Sequence, residues 1–529
     1  MRESLRGSPA AANDAPWRAA AYALIAAISL WQAYLAFGGT LVESLRWTID
    51  DGFYYLKVAD SIAAGQGSTF DGRHVTNGYH PLWLILLVPL MYVTRGDPVA
   101  GYRAVQILQL AILVLTLLLV YRVARRRVSP PAALVPLLVF AWPRVLTQTN
   151  TLLESGLYLL LLAIFVDRTD ALSEWVRADR RRALAAAGAL LGVAILCRLD
   201  AMFVLPAIVC SAVPARERPH RWGAWIAIAA PASAVLVAYM AWNSATYGHA
   251  LPISGRLKTT FPIVDPNWHY LRRYADFIAL SIAGAIPWFI ALARTRHFRG
   301  QDLVGLAALF NFLQILLFMR WGVENWYFCL AIVSGSLALA EAADRVAARF
   351  ARRVHMTPRA LVAAGVLVGC AVAAGALAQS WRRHQHLIQD HYYYAAKWAE
   401  KSTPPDAVFA MTDAGIFRWF SGRTTVNTDG LMNDFEFLEV LRRGEFGEYL
   451  RAERIDYLVS YWNRTPEVLD GGYGERRIRA LLRPYDLDGG GVIVREEDEV
   501  YRDVYEGRLP PLRRLERNAV LIWRLRWDR

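Results

Sequence analysis

Two adjacent carboxylates, Asp50 and Asp51, open the stretch richest in chemistry, Asp50-Asp51-Gly52-Phe53-Tyr54-Tyr55-Leu56. Residues 52–64 read as a short amphipathic helix with Phe53, Leu56 and Ile62 on one side, ended by Gly65 and Gly67. One N-cap needs one aspartate, which gives one member of the pair a structural reason to be there. The spare carboxylate is placed to take a proton from a hydroxyl nucleophile as a general base. A pair of metal ligands is the remaining reading, although no His/Asp cluster with ligand spacing accompanies it. Downstream, Asn77, Tyr79 and His80 precede an apolar run and are candidates to line the same cavity. A histidine beside a proline also serves commonly as a loop or cap residue. Glu154, Arg198, Asp200 and Glu324 lie at or near the ends of apolar runs. Ionisable groups at membrane depth are costly and usually line a cavity. Each alone could be an interfacial side chain whose charged end reaches water. Together, on one side, they point to a polar cavity open to that side.

The elements that must hold these residues follow from hydropathy and charge. The chain has 529 residues, 55% of them hydrophobic and 20% charged, with a mean hydropathy of +0.23. That is too apolar for a soluble enzyme of this length and too charged for a wholly embedded one, so a membrane part joined to a solvated part is expected. Apolar runs fall near 17–38, 100–121, 131–147, 151–166, 183–198, 200–214, 222–242, 276–293, 302–319, 326–343 and 360–379, giving about eleven transmembrane helices. The first is long enough to be an uncleaved anchor rather than a signal peptide. Arginine-rich gaps occur at 122–127, 168–182, 216–221, 294–299 and 345–359. With these on the cytoplasmic side, the gap 39–99 and everything after Gln379 face outward. The net charge of +13 is thereby explained by helix orientation, and nucleic acid is not expected as a partner. The apolar segment 81–94 is short for a span and reads as an interfacial or re-entrant helix. The four cysteines lie inside apolar runs, which leaves no disulfide framework or CxxC metal site.

Residues 381–529 turn polar. Runs at 407–411, 424–427 and 457–460 read as strands and 434–452 as helical, so a soluble α/β or α+β domain follows the membrane domain 1–380. Asp413 and Asp429 fall just after strands and read as turn residues. Gly489-Gly490-Gly491 reads as a loop.

The order of one N-terminal span, a paired acidic motif, a short amphipathic helix, Thr76-Asn77-Gly78-Tyr79-His80-Pro81-Leu82-Trp83 and many further spans resembles the GT-C superfamily of membrane glycosyltransferases. The likeness extends to Glu154-Ser155-Gly156, Cys197-Arg198-Leu199-Asp200, Pro252 to Lys258, Asp413-Ala414-Gly415, Ser421-Gly422-Arg423 and Asp429-Gly430-Leu431. It covers most of the chain and is similar to bacterial relatives of protein O-mannosyltransferases, lipid A aminoarabinose transferases and mycobacterial arabinofuranosyltransferases. The resemblance implies a GT-C bundle and an inverting transfer of a sugar from a polyprenyl-phosphate donor to an acceptor hydroxyl. It places the protein in the cytoplasmic membrane with its soluble domain outside. Many protein-modifying relatives carry Asp-Glu at the motif, so the acceptor stays open among a cell-envelope glycan, lipid or protein.

Such a transfer has a good leaving group and needs no general acid, only a base and cations for the departing phosphate. The resemblance puts Asp50 ahead of Asp51 as that base. Lys258 is the leading phosphate ligand: the chain has four lysines against 55 arginines, and an ammonium is a compact point charge for a phosphate oxygen. Arg256, Arg198 and Arg103 follow as bidentate candidates. No cofactor is implied with certainty, and an assisting divalent cation stays open. The alternatives are a transporter or flippase of a lipid-linked or anionic solute, which would show repeated halves with broken helices, and a non-catalytic lipid-binding scaffold.

Overall fold

The computed structural model describes residues 14–213, 222–295, 297–319, 322–351, 353–383, 388–482, 487–507 and 516–527. Each of the eleven apolar runs is helical over most of its described residues. Among the described residues, seven helices are individually long and apolar enough to cross a membrane: Ala15–Phe37, Pro98–Arg125, Trp222–Tyr247, Ala275–Arg294, Gly300–Phe318, Asn325–Phe350 and Pro358–Arg382. The other runs are shorter or broken. The run at 131–147 bends by 68° between Ala141 and Pro143, because Trp142 precedes a proline and takes extended backbone with ψ 129. The chain is a multi-pass membrane protein. The segment expected to be interfacial or re-entrant is the helix Pro81–Val93, about 20 Å long at 1.5 Å per residue, which is short of the hydrocarbon thickness.

Small residues let the central helices meet. A Cβ on Gly305 would overlap the carbonyl oxygen of Gly284, and one on Gly335 would crowd that of Leu280. Ala275–Ile290, Gly300–Phe318 and Cys329–Phe350 thus approach backbone to backbone, the way helices associate where lipid removes the usual apolar driving force.

Charge is segregated by ends. At one end, Asp167 accepts from Arg122 and Arg126, Arg127 donates to Asp170 at 2.6 Å, and Glu341 joins Arg299 at 2.7 Å and Arg345 at 2.9 Å. Ser173 and Phe298 close the circle through their backbones at 3.2 Å. Four of the arginine-rich gaps therefore share one end, while the fifth, Arg216 to Arg221, lies outside the described residues. At the opposite end Arg144 binds Asp276 at 2.6 Å and Arg273 reaches Glu324 at 3.5 Å. The soluble domain stands there too, tied down by Arg46 to Asp390 at 2.8 Å and by the Trp419 indole N–H to the Pro98 carbonyl at 3.0 Å.

The soluble domain is built on strands β1 (Val408–Met411), β2 (Thr424–Asn427), β3 (Tyr457–Asn463), β6 (Glu499–Gly507) and β7 (Glu516–Arg524), with β4 (Glu475–Leu482) and β5 (Leu487–Arg495) as a separate antiparallel pair. The main sheet runs β2-β1-β3-β7-β6. Its first three strands are parallel, and β7 is antiparallel to both neighbours. Two expectations are corrected here. The helical stretch 434–452 is two helices, Phe435–Arg443 and Phe446–Ala452, parted at Gly444 with φ 74. The triple glycine lies within β5, with Gly491 opposite Arg479, because the backbone there runs against the Gly444 carbonyl and leaves no room for a Cβ at Gly490.

Candidate active site

Neither aspartate caps the helix that carries it. The helix is Asp50–Ala63, its N-cap is Ile49, and both carboxylates occupy the first turn, where the helix dipole favours negative charge. Successive residues on a helix point about 100° apart, and the pair uses that divergence. Asp50 turns to the soluble domain: its two carboxylate oxygens accept the backbone N–H groups of Gly415 and Ile416, each at 2.7 Å. Gly415 permits this approach, since a Cβ there would overlap the Asp50 carbonyl oxygen. Asp51 turns instead into a polar cavity of about 180 Å³, with His80, Glu154, Arg198, Lys258 and Tyr327 also in its wall.

Lys258 ends the helix Ile253–Lys258. Asn77 holds the start of that helix, accepting the Ile253 N–H at 3.0 Å while its own amide donates to Asn243 at 3.1 Å. Among the described residues Lys258 is in no salt bridge. Burial works against its charge, but Tyr327, Asp51 and Asp429 more than offset this and hold its pKa above the ordinary lysine value. Arg198 is differently placed. One arm of its fork binds Glu154 at 2.5 Å, the rest binds Asp200 at 2.8 and 3.0 Å, and the guanidinium lies over the Tyr327 ring at 5.4 Å. Two carboxylates claim that cation. Of the two cavity cations, Lys258 is the one left to meet an anionic ligand.

Burial raises the pKa of Asp51, with Lys258 pulling the other way and Asp429 and Glu154 adding to the rise. Asp50 is held well above the carboxylate range by burial and then by Asp413. Burial also lowers the His80 pKa, which favours its neutral form. Behind Asp51 stand two more carboxylates. The Tyr54 hydroxyl donates to Asp429 at 2.8 Å, and the Tyr461 hydroxyl donates to Asp413 at 2.5 Å. Burial and Asp429 push Asp413 up to about 7. Despite this density of acids, no group of three or more His, Cys, Asp or Glu among the described residues has metal-holding geometry.

Residues 80–242 match the model of the dolichyl-phosphate-mannose-protein mannosyltransferase family, and residues 379–502 match a domain of unknown function, DUF8728. No curated protein is similar enough in sequence to match. Among solved structures, ArnT from Cupriavidus metallidurans bound to undecaprenyl phosphate is 14% identical over 95% of this chain and 97% of its own, with a TM-score of 0.53. AglB, the oligosaccharyltransferase of Archaeoglobus fulgidus, in complex with an inhibitory peptide and a dolichol-phosphate, is 12% identical over 93% of this chain and 80% of its own, also at 0.53. This chain has the GT-C fold.

Within that GT-C frame the other expected residues divide. His80 lines the cavity with Nε2 3.9 Å from Glu154, and Asp200 lines it beside Arg198. Tyr79 and Asn77 are buried just behind the wall, the Tyr79 hydroxyl 2.6 Å from Ser68 Oγ. Glu324 pairs with Arg273 and is not in the wall. Two phosphate candidates are displaced. Arg256 is exposed and outside the cavity. Arg103 spends its guanidinium on the Ala36 carbonyl, Ser44 and Gln106 between the Phe37 and Tyr102 rings. Sequence reading missed Tyr54, Asp413, Asp429 and Tyr327 as parts of the site. The available signal was the same Thr-Asp pair, Thr412-Asp413 and Thr428-Asp429, directly after each of two short strands.

Proposed function

We propose that this protein is an inverting glycosyltransferase that moves a sugar from a polyprenyl-phosphate donor to an acceptor hydroxyl on the extracytoplasmic side of the cytoplasmic membrane. The observation that carries the reading is Asp51 and Lys258 in the wall of one cavity, on a GT-C fold, at the end opposite the arginine clusters. Asp51 is the base and Lys258 the ligand of the leaving phosphate. The acceptor O–H gives its proton to the Asp51 carboxylate, and its oxygen bonds to the anomeric carbon. The bond from that carbon to the phosphate oxygen breaks, and polyprenyl phosphate leaves with the electron pair, its charge met by Lys258. The base is assigned to Asp51 rather than to Asp50, a choice supported by the backbone donors that already occupy both Asp50 oxygens. The Arg198, Glu154 and Asp200 group forms the opposite polar wall, offering acceptors to the hydroxyls of a donor sugar.

The test is release of free polyprenyl phosphate by purified protein in detergent from a panel of polyprenyl-phosphate sugars, with magnesium and with EDTA arms to settle whether a divalent cation assists. Asp51→Asn should reduce turnover by about 10²-fold or more while donor still binds, and Lys258→Ala should weaken donor use by a similar order. Turnover by Asp51→Asn at the wild-type rate would falsify the base assignment.

A further inference from the structure

A second cavity, of about 370 Å³, lies where the soluble domain meets the membrane part, with Gly322 contributing to its wall. The sheet places it. From β1 the chain goes out to β2 on one flank, then crosses to β3 on the other, all three strands parallel. Loops that leave the carboxyl ends of strands in opposite directions part and leave a crevice, the usual ligand position in an open parallel sheet. Thr412 and Asp413 follow β1, Thr428 and Asp429 follow β2, Ser460 and Tyr461 belong to β3, and all six line the cavity.

The backbone at the cavity is held in an uncommon conformation. Asp413 has φ 50, in the left-handed region that a residue with a Cβ seldom takes, and such a residue persists at a cavity because its surroundings hold it there. The chemistry of the wall narrows the ligand. The Thr412 and Thr428 hydroxyls lie 2.9 Å apart and bond to each other, which leaves each further capacity. The carboxylates of Asp413 and Asp429 accept from hydroxyls already, and Leu458 and Phe446 add apolar surface. With Asp413 holding its proton to about pH 7, one carboxylate, Asp429, stands against one arginine, Arg479, so the wall carries no net charge to select an ionic ligand. β1 and β3 are paired on both sides, so the residues at their ends offer side chains rather than an open ladder, and Ile478, Arg479 and Ala480 of β4 complete the wall. Hydroxyl partners around an apolar floor suit a sugar ring, whose edges are polar and whose faces are C–H.

We propose that this cavity is the acceptor site, that it takes a neutral sugar residue, and that a glycan rather than a protein or lipid receives the transferred group. The inference rests on the transferase reading above. The two cavities share a partition: Tyr54 lines the first, and its hydroxyl donates to Asp429, which lines the second. An acceptor hydroxyl carried past that partition arrives on the Asp51 side.

The experiment is binding of the full-length protein in detergent to an array bearing neutral oligosaccharides, uronate-containing and sulfated oligosaccharides, and serine/threonine-rich peptides. No donor or turnover is involved, so its outcome is independent of the base assignment, checked by Asp51→Asn turnover, and of the phosphate assignment, checked by undecaprenyl phosphate binding. Neutral oligosaccharides should bind, and Thr428→Val, which keeps the shape and removes one hydroxyl, should weaken that binding by about tenfold. Ser460→Leu, which fills the space, should abolish it. Arg256→Ala, exposed and outside both cavities, should bind as wild type. If only peptides or acidic glycans bind, or if Thr428→Val and Ser460→Leu bind neutral glycans undiminished, the proposal is wrong. Should Ser460→Leu misfold, the shape-preserving Thr428→Val decides.

Discussion

Asp413 holds its proton to about pH 7 because burial and the neighbouring Asp429 both penalise its charge. The unfolded chain would release that proton near the ordinary value of 3.8, so the folded state binds it more tightly. A folded pKa above the unfolded one contributes stability that is whole below pH 3.8 and is lost as pH rises through about 7. Asp413→Asn cannot acquire the charge, and its amide oxygen still accepts from Tyr461. The variant should therefore lose less apparent melting temperature than wild type between pH 5 and 8, by at least about 2 °C. A wild-type and variant difference that is flat over this range would show that the carboxyl is charged throughout. The same scale shows what could be read from sequence. The Asp50-Asp51 pair was legible as the chemical centre, and Lys258 as the cation beside it. Which aspartate faces the cavity was not, because one step along a helix changes the direction and only the opposing surface, Gly415 and Ile416, decides what each direction meets. Asp413 and Asp429 read as turns for the same reason: a strand end names the loop but not what the loop faces.

At the scale of elements, the tight contact among Ala275–Ile290, Gly300–Phe318 and Cys329–Phe350 rests on glycines whose neighbours are backbone atoms. Backbone cannot rotate aside as a side chain can. Gly305→Leu should cost roughly 1–3 kcal/mol or more through overpacking, seen as a lower midpoint in thermal fluorescence-detected size exclusion. A midpoint equal to wild type would mean the helices can separate freely at that level. The eleven apolar runs were legible because length and hydropathy report them directly, and β1, β2 and the start of β3 because their apolar residues are β-formers. The break at Trp142, the stop at Gly444 and the pairing of the glycine-rich β5 were not. The first two depend on single residues inside otherwise continuous patterns. The third depends on a distant partner, since Gly489-Gly490-Gly491 has no side chains to advertise a strand.

For the whole molecule, the separation of charge is what the proposed orientation rests on. Arginine clusters gather at one end with Asp167, Asp170 and Glu341, and the soluble domain stands at the other. Under the orientation proposed above, the positive-inside bias puts the soluble domain away from the cytoplasm. Protease added to intact spheroplasts should then cleave within residues 388–527 without lysis; protection until lysis would reverse the orientation and with it the side of transfer.

The clamp between Asp50 and the N–H groups of Gly415 and Ile416 has a consequence for anyone recombining such proteins. The residue that fastens the soluble domain and the residue assigned the proton transfer are consecutive, joined by one peptide unit of about 3.8 Å between Cα atoms. A borrowed soluble domain that lacks two adjacent N–H donors at this place would leave Asp50 searching for partners and pull its neighbour out of register. Modular exchange therefore has to cut elsewhere, carrying the segment from Asp413 to Ile416 together with the membrane half as a single inherited block.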